Sequence, residues 1–490
     1  MDNNKNSLKQ QAVSGAKWIG TANIITTVLL FARLTVLGRI LDPADFGLMS
    51  MIMVVINFAF VFSDIGISKA IIQRQNISGE QLSSLYWVNI FIGIAIMLIV
   101  AATAPLVAAF YHEERLASLI IVSSITFPIT AVGQQFQVLL EKEMKFDKLA
   151  SADILSSLIG TVITIICAIQ GYGVISLVIG QITISAIKML YTLAAGLKLH
   201  KPRLFFNIGN VKEFISFGLF QMGERCVDYL SGNVSSILIG RFLGPEILGM
   251  YYFAYQIVLM PITKINPILT RVAFPVFSKK QSDNQALNKG YIELNKLIAY
   301  IVIPLLTGLA VTAPVAIPLI FGNKWTGSII LIQIMALPGI FIALGNPIGT
   351  IQLAKGRADI GFYWNLLAFI MSMAVMLLVI RNGVIALAYS QIVLSIISFI
   401  AGLYIIRYLT EMSFSDYLAA IAKPGIFGFI MGMAVYLCYV VFKLMNMHEY
   451  AVLGILVLFG AIVYLLLAFL FDKDYCLDLW NSIIYKRGSR

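Results

Sequence analysis

GRILDPADFG at 38–47 and GRFLGPEILG at 240–249 are one ten-residue phrase written twice, 202 positions apart. The opening Gly-Arg, the leucine, the proline and the closing glycine coincide. A second pair shows the same relationship at an offset of 210: Gly173-Val174-Ile175-Ser176-Leu177 through Gln181-Ile182 recurs as Gly383-Val384-Ile385-Ala386-Leu387 through Gln391-Ile392. The offsets differ by only eight, so both pairs belong to one internal duplication. The Gly-Arg-x-Leu-x-Pro stretch alone could be a convenient helix-end turn, but the second match has no such explanation.

The surroundings of these phrases say what is duplicated. The chain is 59% hydrophobic and 12% charged, with a mean hydropathy of +0.89. Apolar runs follow one another near 16–41, 46–63, 86–110, 116–140, 153–169, 172–196, 214–240, 248–270, 297–321, 328–353, 359–380, 384–406, 420–442 and 451–471. A membrane-spanning helix needs about 20 mostly apolar residues, so the expectation is an all-α membrane protein of about fourteen spans. The first motif closes spans 1 and 7 and the second opens spans 6 and 12. Each repeat therefore holds six spans, and the two copies share one orientation. Such parallel repeats are related by an axis along the membrane normal, with a transport site between them. The expected domains are a six-helix bundle at 1–196, a cytoplasmic linker at 197–213, a second six-helix bundle at 214–410, and two further helices with a tail at 411–490.

Charge sets the orientation. Of 35 Lys and Arg residues, 25 fall in alternate gaps beginning with the N-terminus, six fall in the other gaps and four lie inside apolar runs. The positive-inside rule assigns the rich gaps to the cytoplasm, and an even number of spans puts both termini there. The net charge of +11 is thereby explained by topology, without nucleic acid as a partner. Four scattered cysteines suggest neither a disulfide framework nor a metal site, and the polar start MDNNKNSLKQQ is read as preceding an uncleaved first span. The gaps are too short to hold a soluble catalytic domain, and no GxxxxGK[ST], HExxH or GxSxG is present. No cofactor and no catalytic residue is expected.

Charges inside the apolar runs are the candidate functional groups, because each costs roughly 2.5–3.5 kcal/mol at the bilayer centre. Arg33 lies in the outer half of span 1, either snorkelling outward or facing a cavity. In span 7, Gln221, Glu224, Arg225 and Asp228 share one helical face, continued by Ser231 and Ser235. This cluster reads either as an internally paired knot between Arg225 and Asp228 or as a device for coupling or gating, with Asp228 and Glu224 as the coupling groups. Lys264, between Pro261 and Pro267 in span 8, reads as a cavity residue. Lys188 is nearer the cytoplasmic end and reads as a snorkeller, and Asp64 as the cap of the helix that follows it. The embedded charges leave a positive balance, to which Arg39, Arg241 and Arg271 add. Such a cavity attracts anions. Amide and aromatic groups accompany it, among them Gln134, Gln135, Tyr255 and Asn346, and these suit sugar rings.

The chain resembles the polysaccharide-transporter branch of the multidrug/oligosaccharidyl-lipid/polysaccharide exporter superfamily, nearest to Wzx-type exporters of colanic acid and related exopolysaccharides. SGAKW (14–18), LGRILDPADFGLMSM (37–51), SDIGISKAIIQR (63–74), LYWVN (85–89), GQQFQVLLEKEMKFDK (133–148), KINPILTRVAFPVFSK (264–279) and GNPIGTIQLAKGRADI (345–360) carry the resemblance. It implies fourteen spans and a cationic cavity. It also implies flipping of undecaprenyl-pyrophosphate-linked oligosaccharide across the bacterial inner membrane by alternating access, with a polysaccharide polymerase and a chain-length regulator as possible partners. The expected substrate-binding set is Arg33, Arg39, Arg225, Lys264, Arg271, Gln134, Gln135, Tyr255 and Asn346. Two rivals remain at this stage. A multidrug antiporter of the same superfamily would favour an acidic cavity, and a glycan polymerase or transferase would need a sizeable loop.

Overall fold

The computed structural model describes residues 2–485 apart from 64–67, 69, 70, 73–76, 208 and 446. The cap expected at Asp64 lies outside the described residues. Among the described residues every regular element is a helix. Thirteen helices, from Ser14–Ile40 to Glu449–Phe471, are long and apolar enough to cross a membrane. One of them, Arg225–Lys279, has 55 residues and would extend about 80 Å, more than twice the roughly 30 Å of a hydrocarbon core. It breaks at Gly244, where φ is +83° and ψ is 176°. Two spans thus run end to end across a glycine, as the repeat demands, and the chain is a multi-pass membrane protein.

The chain divides into two compact units, Met1–Gly249 and Met250–Arg490. Compactness and duplication therefore part the chain at different places: the repeat restarts after the 197–213 stretch, whereas the helix leading to the second GR-x-L-x-P phrase belongs with the first unit.

In the first unit, both phrases do the same work. Each ends one helix and starts the next with a proline in its first turn, where the missing N–H costs nothing. Pro43 opens the helix Pro43–Val61, whose Asp42 and Asp45 form a capping box. Gly244 and Pro245 stand where Asp42 and Pro43 stand in the first copy. The two phrases then press on each other. A Cβ added to Gly47 would lie 1.8 Å from the Pro245 carbonyl oxygen, and one added to Gly249 would lie 1.7 Å from that of Pro43. In each case the next glycine's amide nitrogen is 3.0 Å away. The contact is reciprocal and involves backbone on both sides, so neither glycine can carry a side chain without moving a helix. Beside it, Gly240 is covered by Tyr111 and Met51. The Arg241 guanidinium meets the His112 ring and lies 5.5 Å over Phe110.

The segment 200–207 is strapped to the start of the helix Gly79–Tyr111. The backbone N–H of Arg203 donates to Ser83 Oγ at 3.1 Å, that of Asn207 donates to Ser84 Oγ at 3.2 Å, and Trp87 Nε1 donates to the Arg203 carbonyl at 2.9 Å. His200 Nε2 lies 3.3 Å from Ser83 Oγ. Burial, and after it the Arg203 charge, hold the His200 imidazole below its ordinary value.

In the second unit, prolines shape the helices and carboxamides repair them. A proline withholds the N–H that would bond the carbonyl four residues earlier. Pro347 frees Ala343 O, which accepts from Asn266 Nδ2 at 2.9 Å; Pro314 frees Ala310 O, which accepts from Gln333 Nε2 at 3.2 Å. In a bilayer a neighbouring helix must supply such donors. The helices Phe414–Leu444 and Glu449–Phe471 pack on this scaffold through Phe427, Met431, Leu456 and Tyr464. They are pinned by Asp472, which accepts from Tyr300 at 2.7 Å, Lys423 at 2.9 Å and Lys296 at 3.1 Å.

Two outcomes follow. Gly47→Ala or Gly249→Ala should each cost at least the ~1–3 kcal/mol of an overpacked contact, whereas Gly20→Ala, with nothing within 4 Å of its Cβ, should be neutral or slightly stabilising; thermal unfolding in detergent reads both. The neutral His200 is the form favoured by the strap, so the released segment binds more protons once the pH falls below the ordinary histidine value. Measured against the intrinsic exchange rate, the protection of amides in 200–207 should fall as the pH drops below about 6.5, and His200→Gln should flatten that fall.

Candidate functional site

The long helix Gly209–Lys279 carries three of the expected cations. Arg225 is half-buried in the first unit; Lys264 and Arg271 are exposed in the second. Among the described residues no ion pair neutralises any of the three. The paired-knot reading of span 7 is therefore not realised: Asp228 is exposed and makes no ion pair with Arg225 one turn away. The Glu224 and Gln221 side chains lie outside the described residues. Tyr229, on the same helix, instead donates to the carbonyls of Met53 and Val54 at 3.3 and 3.1 Å. Lys264 and Arg271 fall on one exposed face of the helix with Ile268 and Val272, so a cationic head there would sit beside apolar groups. Arg33 is half-buried and Arg39 is exposed.

Other embedded groups are engaged in structure. Lys188 pairs with Asp153 at 2.8 Å rather than snorkelling. Gln135 is fully buried and donates through Nε2 to the Leu82 carbonyl at 2.9 Å, which ties two helices and leaves no surface for a ligand. Its neighbour Gln134 is half-buried and donates to Ser68 Oγ at 3.3 Å. Tyr255 is half-buried with its ring stacked on Tyr251, centroids 6.1 Å apart, and Gln256 bonds the Tyr252 hydroxyl.

Asn346 has a different setting. It sits at the junction of Thr326–Gly345 and Pro347–Ala354 and opens on a cavity of about 490 Å³ within the second unit. The helices Ala358–Val379 and Val384–Thr410 line its other sides. Its polar lining includes Gln352, Asn365, Gln391 and Ser395, and its aromatic lining Phe341, Trp364 and Phe399. The charge-based reading passed over spans 11 and 12, which are nearly free of charge. The signal that could have found them was in the duplication: Gln391 is the glutamine shared with Gln181. Among the described residues, no group of three His, Cys, Asp or Glu could hold a metal ion.

The chain is similar to known proteins along most of its length. The family described as polysaccharide biosynthesis protein matches residues 36–330. The teichuronic acid biosynthesis protein TuaB of Bacillus subtilis (strain 168) is 34% identical over 470 residues, covering 96% of this chain and 97% of that protein. The lipopolysaccharide biosynthesis protein WzxC of Escherichia coli (strain K12) is 33% identical over 420 residues, covering 85% of each. Among solved structures, the lipid II flippase MurJ in an inward closed conformation superposes with a TM-score of 0.76 at 17% identity, covering 93% of this chain and 99% of that one. That likeness concerns the fold.

Proposed function

The chain belongs to the polysaccharide biosynthesis protein family, and from that premise we propose that it flips lipid-linked oligosaccharide repeat units across the bacterial inner membrane for a surface polysaccharide. The substrate class is a saccharide joined through pyrophosphate to a polyprenyl lipid, and the step is alternating access without bond breaking. The observation that carries this reading is that, among the described residues, Arg225 in the first unit and Lys264 and Arg271 in the second have no ion-pair partner. A sugar–pyrophosphate head cannot enter hydrocarbon without partners, since each unsatisfied polar group costs several kcal/mol. Guanidinium and ammonium groups replace water around the pyrophosphate, and the prenyl tail stays in lipid.

The same observation separates this reading from its rivals. A site for cationic drugs needs carboxylates where this helix carries Arg and Lys. A polymerase needs nucleophiles or acid–base groups, whereas transport needs only binding groups that can be exposed to either side. Both termini face the cytoplasm in this scheme. A polymerase and a chain-length regulator would take over the units delivered outside. Asp228, exposed and without an ion-pair partner among the described residues, is the candidate for coupling to a proton gradient, together with Glu224.

Deletion should stop export of the surface glycan and accumulate lipid-linked repeat units in the inner leaflet; a deletion strain with normal glycan and no second transporter of this kind contradicts the proposal. Arg33→Ala and Lys264→Ala should each lower export several-fold at near-normal protein levels. For Asp228→Asn, flipping should lose its response to an imposed pH gradient while substrate binding persists. Flipping that still follows the gradient removes Asp228 from coupling.

A further inference from the structure

The cavity beside Asn346 is polar, uncharged and set inside the membrane-spanning part of the second unit. Asn365 lies six residues beyond Asp359, the start of its span, or about 9 Å along the helix; Ser372 lies about 20 Å along it. Both depths fall within a hydrocarbon core of about 30 Å. A carboxamide at the depth of Asn365 needs partners, yet among the described residues neither it nor Asn346 and Gln352, nearer the end of the span Asn323–Ala354, makes a side-chain hydrogen bond. Gln352 is the most telling of them. Its residue is only 6% exposed, and what remains accessible opens on the cavity. The site is thus supplied with donors and acceptors that the protein does not use.

The lining also limits what can use them. It contains no Asp, Glu, Lys, Arg or His, so an ion entering it would lose hydration without gaining a counter-charge. Phe341, Trp364 and Phe399 present flat apolar faces among the amides. A ligand that satisfies both has hydroxyl or amide groups at its edges and C–H surface on its faces. The volume of about 490 Å³ lies within the range of small-molecule sites.

We propose that this cavity is a subsite for an uncharged sugar residue of the transported headgroup, separate from the cations that meet its pyrophosphate. The assignment rests on the flippase reading above and adds the place where the saccharide is recognised. It divides labour by chemistry: Arg and Lys on the helix Gly209–Lys279 take the charge that every such substrate shares, and the amides at 346, 352 and 365 take the sugar that differs between pathways.

The test measures binding of two lipids to the full-length protein in nanodiscs. One is undecaprenyl pyrophosphate without sugar; the other is the same lipid bearing the saccharide unit of the producing strain. Wild type should bind the sugar-bearing lipid more tightly. Gln352→Leu and Asn365→Leu keep a side chain of similar reach and remove its hydrogen bonding. Each should weaken the sugar-bearing lipid by about tenfold and leave the bare lipid unchanged. Ser395→Trp, which fills the cavity, should do the same, with thermal unfolding as the check on folding; if it melts early, the two leucine variants decide. Unchanged affinity for the sugar-bearing lipid in folded variants assigns the cavity to water and overturns the proposal. Equal loss of both lipids by folded variants overturns it too, because sugar and pyrophosphate would then share one contact. A wild type that binds bare and sugar-bearing lipid equally defeats this inference alone, whereas a wild type that binds neither defeats the flippase reading itself.

Discussion

Two backbones meet at Gly47 and Gly249 at a distance that excludes any Cβ, and the architecture of the first unit turns on that contact. Each glycine lies one turn into a helix opened by a proline, and each abuts the carbonyl of the other copy's proline. The repeated phrase is explained by this geometry: the leucine and the proline end one helix and begin another, and the glycine admits the partner. Arg241, shared by both copies as Arg39, closes over His112 and Phe110 at the side of the contact. Without the approach of the two turns, the end of the 111–115 loop would lose its cover, and Gly240 would have no reason to be small.

Away from that contact, the governing constraint is the cost of polar groups in hydrocarbon. The protein meets it by pairing across helices. Asn266 and Gln333 each donate to a carbonyl freed by a proline on another helix, Lys188 is neutralised by Asp153, and Gln135 ties its helix to Leu82. Against this background the exceptions stand out. Arg225, Lys264 and Arg271 have no carboxylate partner among the described residues, and the side chains of Asn346, Gln352 and Asn365 make no hydrogen bond there. Under the proposed function, these are the groups left to meet the cargo.

The spanning helices, thirteen candidates among the described residues with one broken at Gly244, were legible because length and hydropathy decide them locally, and the break was legible because the first copy has Asp42-Pro43 at the same place. Helix ends extended beyond the apolar runs, as at Asn284–Phe321 against a run at 297–321, because polar residues continue a helix past the hydrocarbon without changing its hydropathy signal. Partnerships were not legible. Asp153 is 35 residues from Lys188 in sequence, and nothing in the local pattern of either announces the other. Gln134 and Gln135 are adjacent and alike in composition, yet their side chains point to different surroundings, one half-buried and one sealed. The cavity escaped notice for a related reason: its amides are spread over three spans, and its lack of charge, which decides its chemistry, gives no signal to a search for embedded charges.

Reconstitution tests the central claim most directly. The purified chain is placed in proteoliposomes with a fluorescent pyrophosphate-linked saccharide lipid, and transfer between leaflets is followed by quenching from outside. The account predicts flipping that depends on the protein, is reduced several-fold by Lys264→Ala, and does not extend to a cationic drug supplied in its place. Flipping no faster than in protein-free vesicles, or uptake of the cationic drug in preference to the lipid, would contradict it.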